Sequence, residues 1–175
     1  LIVICKRFAI QIRKEREEDT ESVRRVNESA FETATEANLV DALRQQAKPI
    51  ISLVADDRGE IVGHIMFSPV TLTGHADLKI MGLAPMAVLP DQQRKGIGTK
   101  LVLAGLKECE KLKFGAVVVL GHPGYYPRFG FVPSSRFGID CEYDVPDDVF
   151  MVKELQEGYL RGATGIIKYH AAFNE

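Results

Sequence analysis

The chain has 175 residues, a length that fits one domain of roughly 150 residues and leaves no comfortable room for two. Hydrophobic residues make up 46% and charged residues 26%, which is ordinary for a globular protein and excludes disordered, collagen-like and coiled-coil readings. Lys and Arg total 22 against 24 Asp and Glu, a formal net charge of −2, so no global basic field is available to hold a nucleic acid by counterion release.

The cysteines, Cys5, Cys109 and Cys141, are odd in number and far apart. That suits neither a disulfide framework nor a zinc ligand set and predicts a reducing, cytoplasmic setting. The opening Leu1-Ile2-Val3-Ile4-Cys5 is too short to span a bilayer, and Lys6 and Arg7 follow it rather than precede it, the reverse of a secretory signal. It reads as an extended N-terminal segment or an artefact of the assigned start.

Alternating apolar and polar residues predict a first strand at 8–13. After a charged run at 14–19, Asp19 or Thr20 caps a helix reaching Glu32, with Val23, Val26, Ala30 and Phe31 inward. A second helix fits 36–47, where Leu39, Val40 and Leu43 form one stripe before Pro49 stops it. Strands at 51–55 and 61–67 flank Asp56-Asp57-Arg58-Gly59-Glu60, a hairpin by its turn chemistry. A third strand covers 78–89 and returns through a polar loop at Thr73-Gly74-His75. The long helix predicted at 96–113 is amphipathic. Ile97, Gly98, Leu101, Val102, Gly105, Leu106, Cys109 and Leu112 share one half of its circumference, and Leu103 falls outside it. The apolar run at 116–120 fits a central strand covered on both faces. A short helical or turn segment at 123–128, strands near 131 and at 149–155, and a last strand at 165–169 follow, with 140–148 read as a surface loop. The order β-α-α-β-β-β-α-β-α-β-β makes a mixed α/β sheet.

Gln93-Arg94-Lys95-Gly96-Ile97-Gly98-Thr99-Lys100 lies between the third strand and the long helix. N–H groups at a helix start point outward without partners, and glycines there remove side chains that would block an approaching phosphate. Arg94, Lys95 and Lys100 add positive charge. A plain strand-to-helix turn with a solvated basic patch explains the two glycines equally well. A dinucleotide fingerprint needs Gly or Ala where Leu101 stands, and a P-loop needs Lys where Thr99 stands, so neither applies. Pro85, inside Leu83-Ala84-Pro85-Met86-Ala87-Val88, cannot donate to a ladder. The strand is expected to splay there and to free backbone groups of Met86, Ala87 and Val88.

These residues resemble the GNAT superfamily of acyl-CoA-dependent N-acetyltransferases. Its coenzyme-A motif, Q/R-x-x-G-x-G/A after a strand reading V-x-P, is matched by Val88-Leu89-Pro90 and by Gln93 through Gly98. Leu39 to Arg44, Gly82-Leu83-Ala84-Pro85, Tyr125 to Phe131 and Lys168 to Phe173 are similar to features of the YhbS-type predicted acetyltransferases within it. The resemblance implies a GNAT fold, a mixed, mostly antiparallel central sheet flanked by helices, as one N-acetyltransferase domain over 1–175 with its core at about 8–173. It implies acetyl-CoA as co-substrate, no metal, and an amine acceptor, either a small molecule or a protein amine. Met86, Ala87 and Val88 would pair with pantetheine, and Gln93, Arg94, Lys95, Gly96, Ile97, Gly98, Thr99 and Lys100 would surround the pyrophosphate. No nucleic acid or membrane partner is expected, and a homodimer is left open.

Transfer of an acetyl group from a thioester to an amine needs a proton for the leaving thiolate and a home for the proton of the attacking ammonium. Tyr126 matches the superfamily's Y-x-x-x-G-F through Gly130-Phe131, which implies a general acid; without the match, the Tyr125-Tyr126 pair reads first as aromatic packing. His122 is a candidate base, balanced against a role in shaping the turn before Pro123. His64 reads as a sheet-interior residue, His75 and His170 as loop and terminal residues, and Glu32 as a group that could face the acceptor. Without an evident base, amines of low pKa are favoured over a lysine side chain. Cys109 belongs to a buried arc and Cys5 and Cys141 lie outside the motif region, so direct attack is expected and a covalent cysteine intermediate is not. The alternative is a non-catalytic acyl-CoA-binding sensor or partner module. The acceptor side is expected from the first two helices, the 73–77 loop and the 134–148 segment.

Overall fold

The computed structural model describes residues 9–175; the opening segment with Cys5, and the Phe8 start of the predicted first strand, lie outside the described residues. Alternation organises the middle of the sheet. In β2 (Ile51–Asp57) and β3 (Glu60–Leu72), Leu53, Ala55, Ile65 and Phe67 join one cluster, and Val54, Ile61 and Met66 join another. The first cluster is closed by α3 (Ile97–Lys111) and the second by α1 (Thr20–Ala30) and α2 (Thr35–Gln46). With helices on both faces these strands can be apolar throughout, since neither face meets water. β3 and β4 (His75–Val88) run further than the patterns predict, because a tight Thr73-Gly74 turn lets their ladder extend almost to the hairpin tip.

The remaining strands are β1 (Gln11–Lys14), β5 (Ala116–Leu120), β6 (Val132–Pro133), β7 (Ile139–Cys141), β8 (Phe150–Glu154) and β9 (Gly165–Lys168). The sheet order is β1-β2-β3-β4-β5-β8-β6. Neighbours along this path are antiparallel except β4 and β5, which run parallel with α3 as their crossover. β9 pairs with Thr71 and Leu72 of β3, beyond the reach of β2, and with β7 in parallel.

Two expectations are corrected. The segment expected as a loop from 140 begins inside β7, a three-residue strand too short to show a period. Leu112, assigned to the buried arc of α3, is 41% exposed, because the helix closes at Lys111 and Leu112 is its C-cap. Leu103 is exposed, as its angular position requires. α3 lies close on the sheet at Gly105, where an added Cβ would stand 2.2 Å from the Phe67 ring.

Candidate active site

β4 and β5 stay paired from Ile80–Ala116 to Leu83–Val119 and then part. The cause is local, for Pro85 follows within two residues and brings no N–H to a ladder. Beyond it, among the described residues, β4 keeps only its β3 partner, with Met86 opposite Ile65, Ala87 opposite His64 and Val88 opposite Gly63. The edge of Met86–Val88 that would continue toward β5 is therefore open. One expected free group is taken, since the Val88 carbonyl accepts from Gln93 Nε2 at 3.1 Å.

A single helical turn at Pro90–Gln92 leads into the glycine loop. Arg94 and Gly96 both take left-handed backbone, with φ of 61° and 82°. Nothing lies near a Cβ built at Gly96, so this glycine is required by conformation and not by space. Among the described residues the N–H groups of Arg94 to Thr99 donate to no protein acceptor, and the first to turn inward is that of Lys100, onto Gly96 O at 3.2 Å. Arg94, Gly96, Ile97, Gly98 and Thr99 line a cleft of about 610 Å³ that runs from the open edge of β4 to the start of α3.

Of the residues expected to bind cofactor, Met86, Ala87, Val88, Gln93, Arg94, Gly96, Ile97, Gly98 and Thr99 line this cleft. Lys95 and Lys100 do not: Lys95 reaches toward Gln92 at 3.5 Å and Lys100 is exposed on the outer side of the first turn. Sequence reasoning missed Ala30, Phe31, Gln92, Tyr125 and Arg128, which complete the wall. The Arg128 guanidinium stands 4.4 Å over the Tyr125 ring and its Nε donates to Tyr125 O at 2.9 Å. A cation three residues after an aromatic in one helical turn was the available signal. Arg94 and Arg128 are the charged residues of the cleft wall, and both are cations.

A second cleft, of about 490 Å³, lies between the diverging ends of β4 and β5 and meets the first at Phe31, Met86 and Tyr125. Leu83, Pro85, Leu120, His122, Tyr126, Leu39 and Glu36 are also on its wall. Tyr126 is buried, edge-on to Tyr125 and Phe131 with ring centroids 5.1 and 5.7 Å away. Burial, with a smaller contribution from Tyr125, pushes its phenol up to about 12, so it is protonated at neutral pH.

His122 is at the mouth of this cleft, but its Nδ1 accepts from the Gly124 N–H at 3.0 Å. A neutral imidazole held this way carries its proton on Nε2, and that nitrogen donates instead of accepting. In this arrangement His122 shapes the turn and has no lone pair to offer an amine. Glu32 is exposed in the bend after α1, and Glu36 is the carboxylate that lines the cleft. Neither 73–77 nor 134–148 contributes to either wall; the Thr73-Gly74 turn is at the far end of β4, where Thr73 bonds Ile166.

His64 is fully buried beneath α1. Asn27 Nδ2 donates to Val23 O at 3.0 Å and to His64 Nδ1 at 3.1 Å, so His64 Nε2–H points to Ser52 Oγ at 2.8 Å. The Ser52 hydroxyl passes the chain on to Glu15. Burial, reinforced by the positive charge of Arg44, brings the imidazole down to about 3. A proton on Nε2 means that His64 cannot accept one from Ser52, and the pair is a structural wire.

Residues 11–133 match the family described as an acetyltransferase (GNAT) domain. The chain belongs to the GNAT acetyltransferase family. It is 38% identical over 146 residues to the Escherichia coli K12 protein named uncharacterized N-acetyltransferase YhbS, covering 83% of this chain and 87% of that one. It is also 38% identical over 134 residues to E. coli YjhQ, another uncharacterized N-acetyltransferase, covering 74% of each. The crystal structure of E. coli YhbS in complex with CoA superposes with a TM-score of 0.89 at 35% identity, over 95% of this chain and 92% of that one. A Brucella melitensis GNAT acetyltransferase in complex with acetyl-CoA gives 0.78 at 37%, over 94% and 98%. This GNAT acyltransferase therefore has the expected mixed sheet flanked by helices. Among its described residues no helix is long and apolar enough to cross a membrane, and no group of three or more His, Cys, Asp or Glu is arranged to hold a metal ion.

Proposed function

We propose that this GNAT acetyltransferase binds acetyl-CoA in the cation-lined cleft and transfers the acetyl group to an amine in the second cleft by direct attack. The observation that carries the reading is the parting of β4 and β5 at Leu83–Val119, with unpaired N–H groups on one side and the Tyr126 hydroxyl on the other. Six consecutive free amides at the start of a 15-residue helix, with Arg94 and Arg128 beside them, suit a pyrophosphate. The open edge of Met86–Val88 suits the amide-bearing pantetheine arm, which adds to it as an extra strand. An N–H on that edge polarises the thioester carbonyl, a contribution worth about 3 kcal/mol at the transition state. The complexes of the E. coli and Brucella relatives with CoA and acetyl-CoA support the same donor here.

Tyr126 acts as the general acid, giving its phenolic proton to the departing sulfur. Cys109 cannot carry the acetyl group between substrates, since it is buried under α3 with its thiol pushed up to about 12 by burial. Attack by the amine on the bound thioester needs no covalent enzyme intermediate. The test is acetyl-dependent thiol release with an amine panel, alongside calorimetry of acetyl-CoA binding. Tyr126→Phe should lower kcat about 10²-fold while acetyl-CoA affinity stays unchanged. Turnover near the wild-type level removes Tyr126 from the chemistry. A protein that binds acetyl-CoA tightly and acetylates no amine is a binding module, and the transferase reading falls.

A further inference from the structure

The two clefts differ in charge. Among the described residues, Arg94 and Arg128 are the cationic side chains of the first, and Glu36 is the carboxylate on the wall of the second. Glu36 belongs to the first turn of α2. Its Oε2 is buried and, among the described residues, accepts no hydrogen bond, not even from its own helix. Other carboxylates on and around the first two helices have partners: Asp41 pairs with Arg24 and Arg44, each at 2.6 Å, Glu28 with Arg24 at 2.9 Å, and Glu15 with Arg44 at 2.5 Å. A buried carboxylate oxygen without a donor destabilises a fold unless something completes it. A cation bearing N–H groups, met as the carboxylate turns into the cleft that Glu36 lines, would complete it.

We infer that Glu36 receives the ammonium group of the acceptor, and that the acceptor is a primary amine with an apolar body and no carboxylate. This deepens the amine-transfer reading above and rests on it. Phe31, Leu39, Leu83 and Leu120 supply an apolar wall for the body, and among the described residues neither Lys nor Arg lines the cleft to pair with an acceptor carboxylate. An α-amino acid would leave that carboxylate desolvated and unpaired, so the site selects against it.

The chemistry balances with the groups present. The ammonium releases one proton to solvent, and the neutral nitrogen attacks the carbonyl carbon. As the C–N bond forms, Glu36 takes the second N–H proton; as the C–S bond breaks, Tyr126 protonates the sulfur. The proton on Glu36 then restores the Tyr126 phenol. Glu36 thus fills the place of base that the Nδ1 bond of His122 denies to that residue.

The test compares 2-phenylethylamine with phenylalanine, the same body carrying a carboxylate. The wild-type protein should favour the amine by about 10²-fold in kcat/KM. Glu36→Gln should lower kcat/KM on the amine about 10²-fold, partly through KM, with Glu36→Asp intermediate and acetyl-CoA affinity unchanged in both. Preference for phenylalanine, or a Glu36→Gln value within about threefold of wild type, overturns the proposal. Calorimetry of 2-phenylethylamine on the CoA-loaded protein separates the two readings. Binding that is lost in Glu36→Gln without any turnover upholds the amine site and sinks acetyl transfer; binding that is absent, or indifferent to the substitution, overturns the amine site.

Discussion

Ser52 and His64 are 2.8 Å apart, a spacing that suggests a nucleophile and its base until the hydrogen bond on the other ring nitrogen is read. Asn27 fixes the tautomer, and the tautomer decides the role. The same logic reassigns His122, whose Nδ1 is occupied by the Gly124 N–H. Hydrogen-bond direction depends on tertiary neighbours, which is why His64 was legible as an interior residue but the Gly124 bond to His122 was not. Glu36 was missed for a different reason. A helix drawn through Glu32 turns that residue toward the acceptor, whereas the chain leaves α1 at Phe31 in extended backbone and re-enters a helix four residues later. His64 also carries a pH signature. Its folded value near 3 lies below the unfolded value of about 6.5, so between those limits the unfolded chain binds the extra proton. Stability must fall as pH drops through this window, by up to about 1.4 kcal/mol per pH unit from this one site. Urea denaturation from pH 7 to pH 4 should show a flatter slope for His64→Gln than for wild type, and equal slopes would remove His64 as the cause.

α3 was the most legible element because six of the eight residues assigned to its inner arc are in fact buried, and the period of an amphipathic helix survives any tertiary arrangement. β5 was legible for the opposite reason, as a run with no polar residue at all. Short strands carry no such signal; β7 was lost, and β6 is two residues long. What an element's pattern cannot express is distance. Gly105 reads as one more small residue on the arc, yet it sets how near α3 comes to the sheet, with the Phe67 ring filling the space a Cβ would need. Gly105→Ala should cost about 1–3 kcal/mol by overpacking, seen as a lower midpoint in denaturant with the slope unchanged. A midpoint equal to wild type would mean that α3 lifts without penalty.

The first two helices are tied to the sheet by ion pairs as well as by apolar contacts. Arg13 on β1 bonds Asp19 at 2.7 Å and Asp56 of β2 at 3.0 Å, with both carboxylates largely covered. The Arg13 hydrogen bonds hold the Asp19 carboxyl below its usual range, against the cost of its burial. Arg13→Ala leaves Asp19 covered and without its main partner, a loss of about 3 kcal/mol at neutral pH. A depressed carboxylate contributes fully above the unfolded pKa of about 3.9 and loses its contribution as pH falls through the folded value. The deficit of the variant should therefore shrink as pH falls below about 4, and a constant deficit would assign it to packing of the arginine stem. Across the whole molecule, charge that sums to −2 is partitioned between two neighbouring clefts, cationic on one side of Tyr125 and anionic on the other. Those clefts meet only at Phe31, Met86 and Tyr125, so under the proposed reading each product has its own way out. The acetylated amine, now neutral and no longer held by Glu36, can depart while CoA is still bound.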